Sequence, residues 1–369
     1  MDNLTHTLFG LTLARTPLGR AGRGTTAALV VASNAPDFDA VAGLSGAESY
    51  LRWHRGPTHG VLGIVSLGLL TAAGVWSAQR LPGRTRRAPS VDAAPPASFR
   101  MLLAISLIGV LGHVLMDLPT SYGTRLLSPF DWRWFTLDWM PIIDVYLLAA
   151  LAGGLMAGVS PEARRRSASI VLLLVAADYG IRAAAHRQAL RDAPRLFGPT
   201  LPHDCTPRRS EPVLDSWPRP GGAAAPEPGS RCLVELVALP TFLSPFKWRI
   251  VAHLSNAYEI HDVDLLDERL RRPPDPADVF WRTSVRVPNI WTPPVWTAAS
   301  TEAGRAFLGF ARLPAARAFA DPSGTATVRW NDMRFAGIRP SLTGGTAGPF
   351  SVVIRVAPDG RVLEQKITP

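Results

Sequence analysis

The chain has 369 residues, with 39 basic side chains against 29 acidic ones and a formal net charge of +10. Only 18% of residues are charged and 47% are hydrophobic, which excludes a disordered chain, and the length allows two or three domains. Lys247 and Lys366 are the only lysines, so the basic excess is arginine, scattered rather than gathered into one patch. Nucleic-acid binding is therefore not expected, and the arginines that flank long apolar runs point to a membrane instead.

The first apolar stretches, 4–14 and 25–32, are joined by a turn rich in Gly and Arg. At 1.5 Å per residue neither crosses a bilayer, so they predict a short N-terminal helical hairpin entering partway. A cleaved signal peptide fits poorly, because Asp2 replaces the positive start and no clean A-x-A site follows. Residues 58–78 carry no formal charge, nor do 101–116; 142–159 hold a single acid, Asp144, and 167–185 are interrupted by Asp178 and Arg182. These runs predict about four spanning helices. Arg80, Arg84, Arg86, Arg87 and Arg100 follow the first run and Arg164, Arg165 and Arg166 the third, which makes both loops cytoplasmic. Segments 35–57 and 118–141 then lie outside, as does everything after about residue 187, although Arg125 and Arg133 run against this orientation.

Residues 187–230 are rich in Pro, Gly and Arg and read as a linker. Short β-like runs follow at 232–239, 248–253, 325–335, 350–356 and 361–367, the last two joined by the turn residues Ala357-Pro358-Asp359-Gly360. The predicted architecture is an α-helical membrane bundle over 1–186, the linker, and a mostly β extramembrane domain over 231–369. Cys205 and Cys232 fall on the external side, where a disulfide and two free thiols are both admissible, and no CxxC pattern exists.

The polar residues of the first 144 positions form a pattern of their own. They are Asp2…His6, Asp37-Phe38-Asp39, His54-Arg55-Gly56-Pro57-Thr58-His59, His113…Asp117, and Asp138 with Asp144. Imidazole and carboxylate are the usual ligands of zinc and similar divalent cations. His113 and Asp117 stand four apart on a helix and project from one face; a hydrogen-bonded pair that only locks helices together is an equal reading of those two alone. An ionisable group inside a spanning helix costs about 3 kcal/mol or more, so it faces a partner or a watery cavity. With the arginine-based orientation, all these groups converge on the outer membrane face. The Asn34-Ala35-Pro36-Asp37 stretch also reads as a helix stop. Trp132, Trp134 and Trp139 read as interfacial anchors, Glu259, His261, Asp262 and Asp264 as surface residues, and Gly344-Gly345 as loop.

The start MDNLTHTLFGLTLA, the turn NAPDFD, HRGPTH, GHVLMD and the stretch DLPTSYGTRLLSPF…LDWMPIID resemble the YdjM-like family of bacterial inner-membrane, metal-dependent hydrolases. The resemblance runs over 1–150 and loosely further. More distantly, His113…Asp117, Asp37, His59 and His6 are similar to ligands of zinc-dependent phospholipase C and related helical nucleases. The chain departs from that pattern after Asp117: no further His set follows, only Asp138 and Asp144.

The resemblance implies a divalent cation, zinc foremost, as one or two ions that activate water against an ester-type substrate, a phosphodiester or lipid included. His59, His113, Asp117 and Asp37 are the expected inner ligands; His6, Asp138 and Asp144, with Asp39, serve a second ion or orient the imidazoles. Asp39, His54 and Arg55 are the expected catalytic side chains, with Arg55 placed to pair with a phosphate, a carboxylate or a lipid headgroup. The expected partners are the bilayer of the bacterial inner membrane and a small-molecule or lipid substrate. A proton- or metal-coupled transporter also places His and Asp in membrane helices, but no paired halves are visible. A noncatalytic membrane scaffold is the other alternative.

Overall fold

In a computed structural model, which describes residues 1–81, 95–197, 201–205, 216–217, 231–272, 285–335 and 350–368, the chain divides into two units. The first joins Met1–Asp39 with Arg55–Ala183, and the second joins Ala40–His54 with Ala184–Pro369. Arg84, Arg86, Arg87, Gly344, Gly345 and much of the expected linker lie outside the described residues.

The helical unit opens with α1 (Asn3–Ala14), where the Asp2 carboxylate accepts from the Thr5 backbone N–H, a donor the first helical turn cannot satisfy itself. α2 (Thr25–Ala32) completes the expected pair of short helices. After α3 (Ala47–Trp53), which belongs to the second unit, come α4 (Val61–Ala78), α5 (Phe99–Asp117), α6 (Val145–Met156) and α7 (Pro161–Leu196). Among the described residues, α4, α5 and α7 are long and apolar enough to cross a membrane.

That is three spans where four are expected. The run 142–159 yields a helix of only 12 residues, α6, about 18 Å long against a hydrocarbon core of roughly 30 Å. Asp144 starts it by accepting from the backbone N–H groups of Tyr146 and Leu147, and Gly158, at φ +89°, turns the chain before Pro161. The interrupted run 167–185 instead lies inside the 36-residue α7, because its charges are answered: Arg182 is paired with Asp144 and stands 3.6 Å from Asp178. Arg15, at the hairpin turn, donates to the carbonyls of Gly154 and Ala157, which the end of α6 leaves open.

Two glycines set the helix spacing around α2. A Cβ on Gly10 of α1 would lie 3.1 Å from the Val30 Cα, and one on Gly109 of α5 would lie 2.7 Å from the Ala32 Cβ. The missing side chains let three helices approach as small residues do in membrane bundles. Gly10 is one turn after His6 and Gly109 one turn before His113, so the close approach carries both imidazoles with it.

The second unit holds two antiparallel sheets. β1 (Leu233–Pro240), β2 (Lys247–Leu254), β3 (Ala257–Asp264) and β4 (Val285–Pro288) form the first, in that order, with α8 (Glu268–Arg271) between β3 and β4. After α9 (Pro293–Ala299) and α10 (Glu302–Phe310), β5 (Pro314–Ala320), β6 (Ala326–Asp332), β7 (Ser351–Val356) and β8 (Val362–Thr368) form the second. Side chains alternate along a strand, and both faces of the first sheet are covered. Trp248, Ile250 and Ala252 pack on Ala185, Ala189 and Ala193 of α7. Val251, Tyr258 and Ile260 pack on Leu313, Ala315 and Met333. Residues 187–196 are thus helix rather than linker. α3 packs against α10, and Cys205 is disulfide-bonded to Cys232.

This two-sided cover corrects the surface reading of β3. Glu259 and His261 are buried, and Glu259 is held at 3.0 Å by both Arg231 and Arg286. Asp262 keeps an exposed pairing with Arg249.

Candidate metal centre

His6 stands on α1, Asp37 and Asp39 on the 3-10 turn Pro36–Ser45 that follows α2, His59 at the end of the 3-10 turn Pro57–His59, and His113 and Asp117 on the last turns of α5. α5 and the two turns bring Asp37, His59, His113 and Asp117 together, each offering one ligand atom within 4.8 Å of the others. His59 Nε2 lies 3.4 Å from Asp37 Oδ1 and 3.4 Å from Asp117 Oδ2. His113 Nε2 lies 3.5 Å and 3.4 Å from the same two oxygens, and the two Nε2 atoms are 3.1 Å apart. A tetrahedral cation with ligands at about 2.0–2.1 Å sets those ligands about 3.4 Å from one another. The five imidazole–carboxylate and imidazole–imidazole distances, 3.1–3.5 Å, are close to those edge lengths.

The hydrogen bonds behind the rings decide what the ring nitrogens can do. His113 Nδ1 is 2.8 Å from the Ser33 carbonyl, which only accepts, so Nδ1 carries the proton. His59 Nδ1 is 3.2 Å from Asp39 Oδ2 and 3.0 Å from Thr58 Oγ1; with Thr58 donating to the same carboxylate, this ring also carries its proton on Nδ1. In the neutral rings both Nε2 atoms are then bare lone pairs facing each other across 3.1 Å. Two lone pairs and two carboxylate oxygens in one buried place repel unless a cation sits among them. The donor set fits a divalent ion of zinc type, and the backing of each imidazole by a carbonyl or carboxylate is how ligating histidines are held.

His6 adds a third ring, stacked on His113 at 3.7 Å with Nε2 3.3 Å from Asp117 Oδ1. It is fully buried and neither of its nitrogens has a hydrogen-bond partner. Burial first, then the neighbouring His113, push its pKa well below the ordinary imidazole value, so it is neutral at pH 7. The Met1 amino group abuts the same Asp117 oxygen.

Arg55 closes one side. Its backbone is left-handed (φ +54°), a conformation non-glycine residues adopt at a cost and mostly at functional positions. The backbone N–H donates to Asp39 Oδ2 at 2.9 Å and Nη1 donates to Thr120 Oγ1 at 2.9 Å. Nε stands 3.3 Å from Asp117 Oδ2, and the guanidinium lies over the Tyr122 ring. Arg125, whose N–H donates to the Arg55 carbonyl, is buried over Trp134, and that burial lowers its pKa to about 10, still charged at neutral pH.

Asp144 and Asp138 are placed elsewhere, whereas His54 joins Asp37 and Asp39 in a second group whose ligand atoms lie within 4.8 Å of one another. Asp144 is committed to the start of α6 and to Arg182. Asp138, at φ +57°, accepts from Thr136 Oγ1. His54 ends α3 in the second unit, its ring stacked on Tyr50 at 4.7 Å. Trp134 is fully buried and no interfacial anchor, whereas Trp132 remains 41% exposed. Ser33, Thr58 and Thr120 are the contributors that sequence reading passes over. Ser33 acts through its carbonyl, which any residue supplies, while Thr58 was visible beside His59.

The family model described as YdjM inner membrane protein matches residues 1–189, which contain the whole cluster. The chain belongs to the YdjM inner membrane protein family. It is a membrane protein on that ground and on the strength of α4, α5 and α7. The uncharacterized protein YfhP of Bacillus subtilis (strain 168) is 28% identical over 185 residues, 47% of this chain and 52% of that protein. The chain thus spans about half the length of the curated relative it matches. No solved structure matches the chain. The expected likeness to zinc-dependent phospholipase C is not shown by these comparisons.

Proposed function

We propose that this protein is a membrane-bound hydrolase that works with a divalent cation, zinc by its donors, held by Asp37, His59, His113 and Asp117. The observation that carries the reading is the pair of His59 and His113 Nε2 atoms, both stripped of protons by what stands behind them and 3.1 Å apart. Bound there, such an ion supplies Lewis acidity and lowers the pKa of a water toward about 7. The chain's own residues do the rest. Ser33 and Asp39 keep the two imidazoles aimed inward. His6, stacked on His113, sets a neutral imidazole Nε2 beside Asp117. Arg55 presents its guanidinium next to Asp117 to an anionic oxygen of the substrate.

An ester of a lipid or similar amphiphile suits the surroundings. Phe38 and Phe130, in the segments that carry and flank the cluster, are 71% and 77% exposed. The centre and the C-terminal unit face the extracytoplasmic side in this reading, supported by the Cys205–Cys232 disulfide, a bond that persists in oxidising compartments. Metal analysis of the purified protein beside His113→Ala, followed by phosphodiester, ester and amide panels, tests the activity. Bound metal and hydrolysis in the wild type, both lost in the variant, are expected; a folded wild type with neither overturns the reading. Sidedness is read from Arg133→Cys in whole cells, which an impermeant thiol reagent should label.

A further inference from the structure

The turn between β1 and β2 exposes Phe242 (54%), Leu243 (65%) and Phe246 (36%), and the residues after β3 expose Leu266 (50%). The Leu265 N–H donates to the Phe246 carbonyl at 2.9 Å, so the two segments lie side by side and their apolar side chains form one patch. Large apolar side chains gathered at one place mark an interaction surface. Lys247, 62% exposed and 3.9 Å from the Asp264 carboxylate, borders the patch.

α7 identifies the partner. The His186 ring is 5.5 Å from Trp248, at the start of β2. Beyond the end of α7, Cys205 and His203 exchange backbone hydrogen bonds with Leu233, which pairs with Leu254 at the other end of β2. The last part of α7 therefore runs the same way as β2, and the turn 241–246 lies at the His186 end, pointing back along the helix. Ile181 is the last large apolar residue exposed on α7, and His186 follows it by about 7.5 Å of helix. The turn thus lies at the end of this α7 segment that is nearer the membrane-crossing stretch of the same helix.

We propose that the β1–β2 turn dips into the bilayer surface, burying Phe242, Leu243 and Phe246 among the upper acyl chains while Lys247 meets anionic headgroups. Aromatic and aliphatic side chains flanked by cations bind a lipid surface in this way, with apolar groups about 5–10 Å deep. The domain is then held to the membrane at two points, by α7 and by the turn.

The test uses the full chain in vesicles of phosphatidylethanolamine and phosphatidylglycerol. Cys205 and Cys232 are paired, so an NBD label on Phe242→Cys is unique; Asp359→Cys, in the exposed β7–β8 turn, is the control. Lipids carrying a nitroxide on a shallow acyl carbon should quench the Phe242→Cys label at least about threefold more than the control. Equal quenching at the two positions overturns the proposal, as it would if the patch docked on a protein instead.

Discussion

In the C-terminal unit, buried Arg334 holds Asp332 at 2.6 Å, buried Glu235 meets Arg312 at 3.1 Å, and Glu259 is gripped by two arginines. Each buried charge there faces its opposite. In the helical unit, two carboxylates and two imidazole lone pairs face one another, with a third imidazole beside them and, at Asp117, the Met1 amino group and one arginine. Matched pairs of the first kind explain themselves: desolvation is offset by the partner. A convergence of like-minded acceptors does not, and it points to a cation. Burial of charge alone therefore distinguishes nothing; what each group faces does.

Four substitutions break or sharpen that contrast. Asp117→Ala removes a ligand and should weaken metal binding by more than about 100-fold, beyond the effect of losing an orienting partner; chelator competition measures it. Arg334→Ala strands Asp332 in the β unit and should cost about 3–5 kcal/mol in denaturation of the full chain, much of it recovered by replacing both residues with apolar ones. Metal content should be unchanged in Arg334→Ala and in that double replacement. Asp39→Ala leaves the ligands in place but frees the His59 ring, so metal affinity should fall about 10–100-fold, and equal affinity would remove Asp39 from the centre. Arg249→Ala breaks the exposed pair with Asp262 and should cost less than about 1 kcal/mol.

Residue spacing revealed much of the centre. His113 and Asp117 share a helix face, and Asp37 and His59 sit in short polar motifs that apolar surroundings make conspicuous. Asp144 looked equally suited, and only the fold shows Arg182 reaching it from a later helix. The Ser33 carbonyl left no trace in side-chain identity. Apolar composition located the helices but not their ends, because the capping by Asp144 and the turn at Gly158 cut α6 short. Among strands, β1, β2, β6, β7 and β8 announced themselves by alternation. β3 did not, since the arginines that satisfy its buried Glu259 come from other segments, and β5 hides behind an alanine-rich sequence opened by Pro314.

The chain leaves the helical unit at Asp39 and re-enters it at Arg55, and the hydrogen bond from the Arg55 N–H to the Asp39 carboxylate fastens the two ends. The clasp makes Ala40–His54 an excursion whose two ends are held together. Added length in such a loop costs little, about 0.6 kcal/mol per doubling. The same helical unit can thus be joined, over evolutionary time, to quite different second units by rewriting one excursion and one tail.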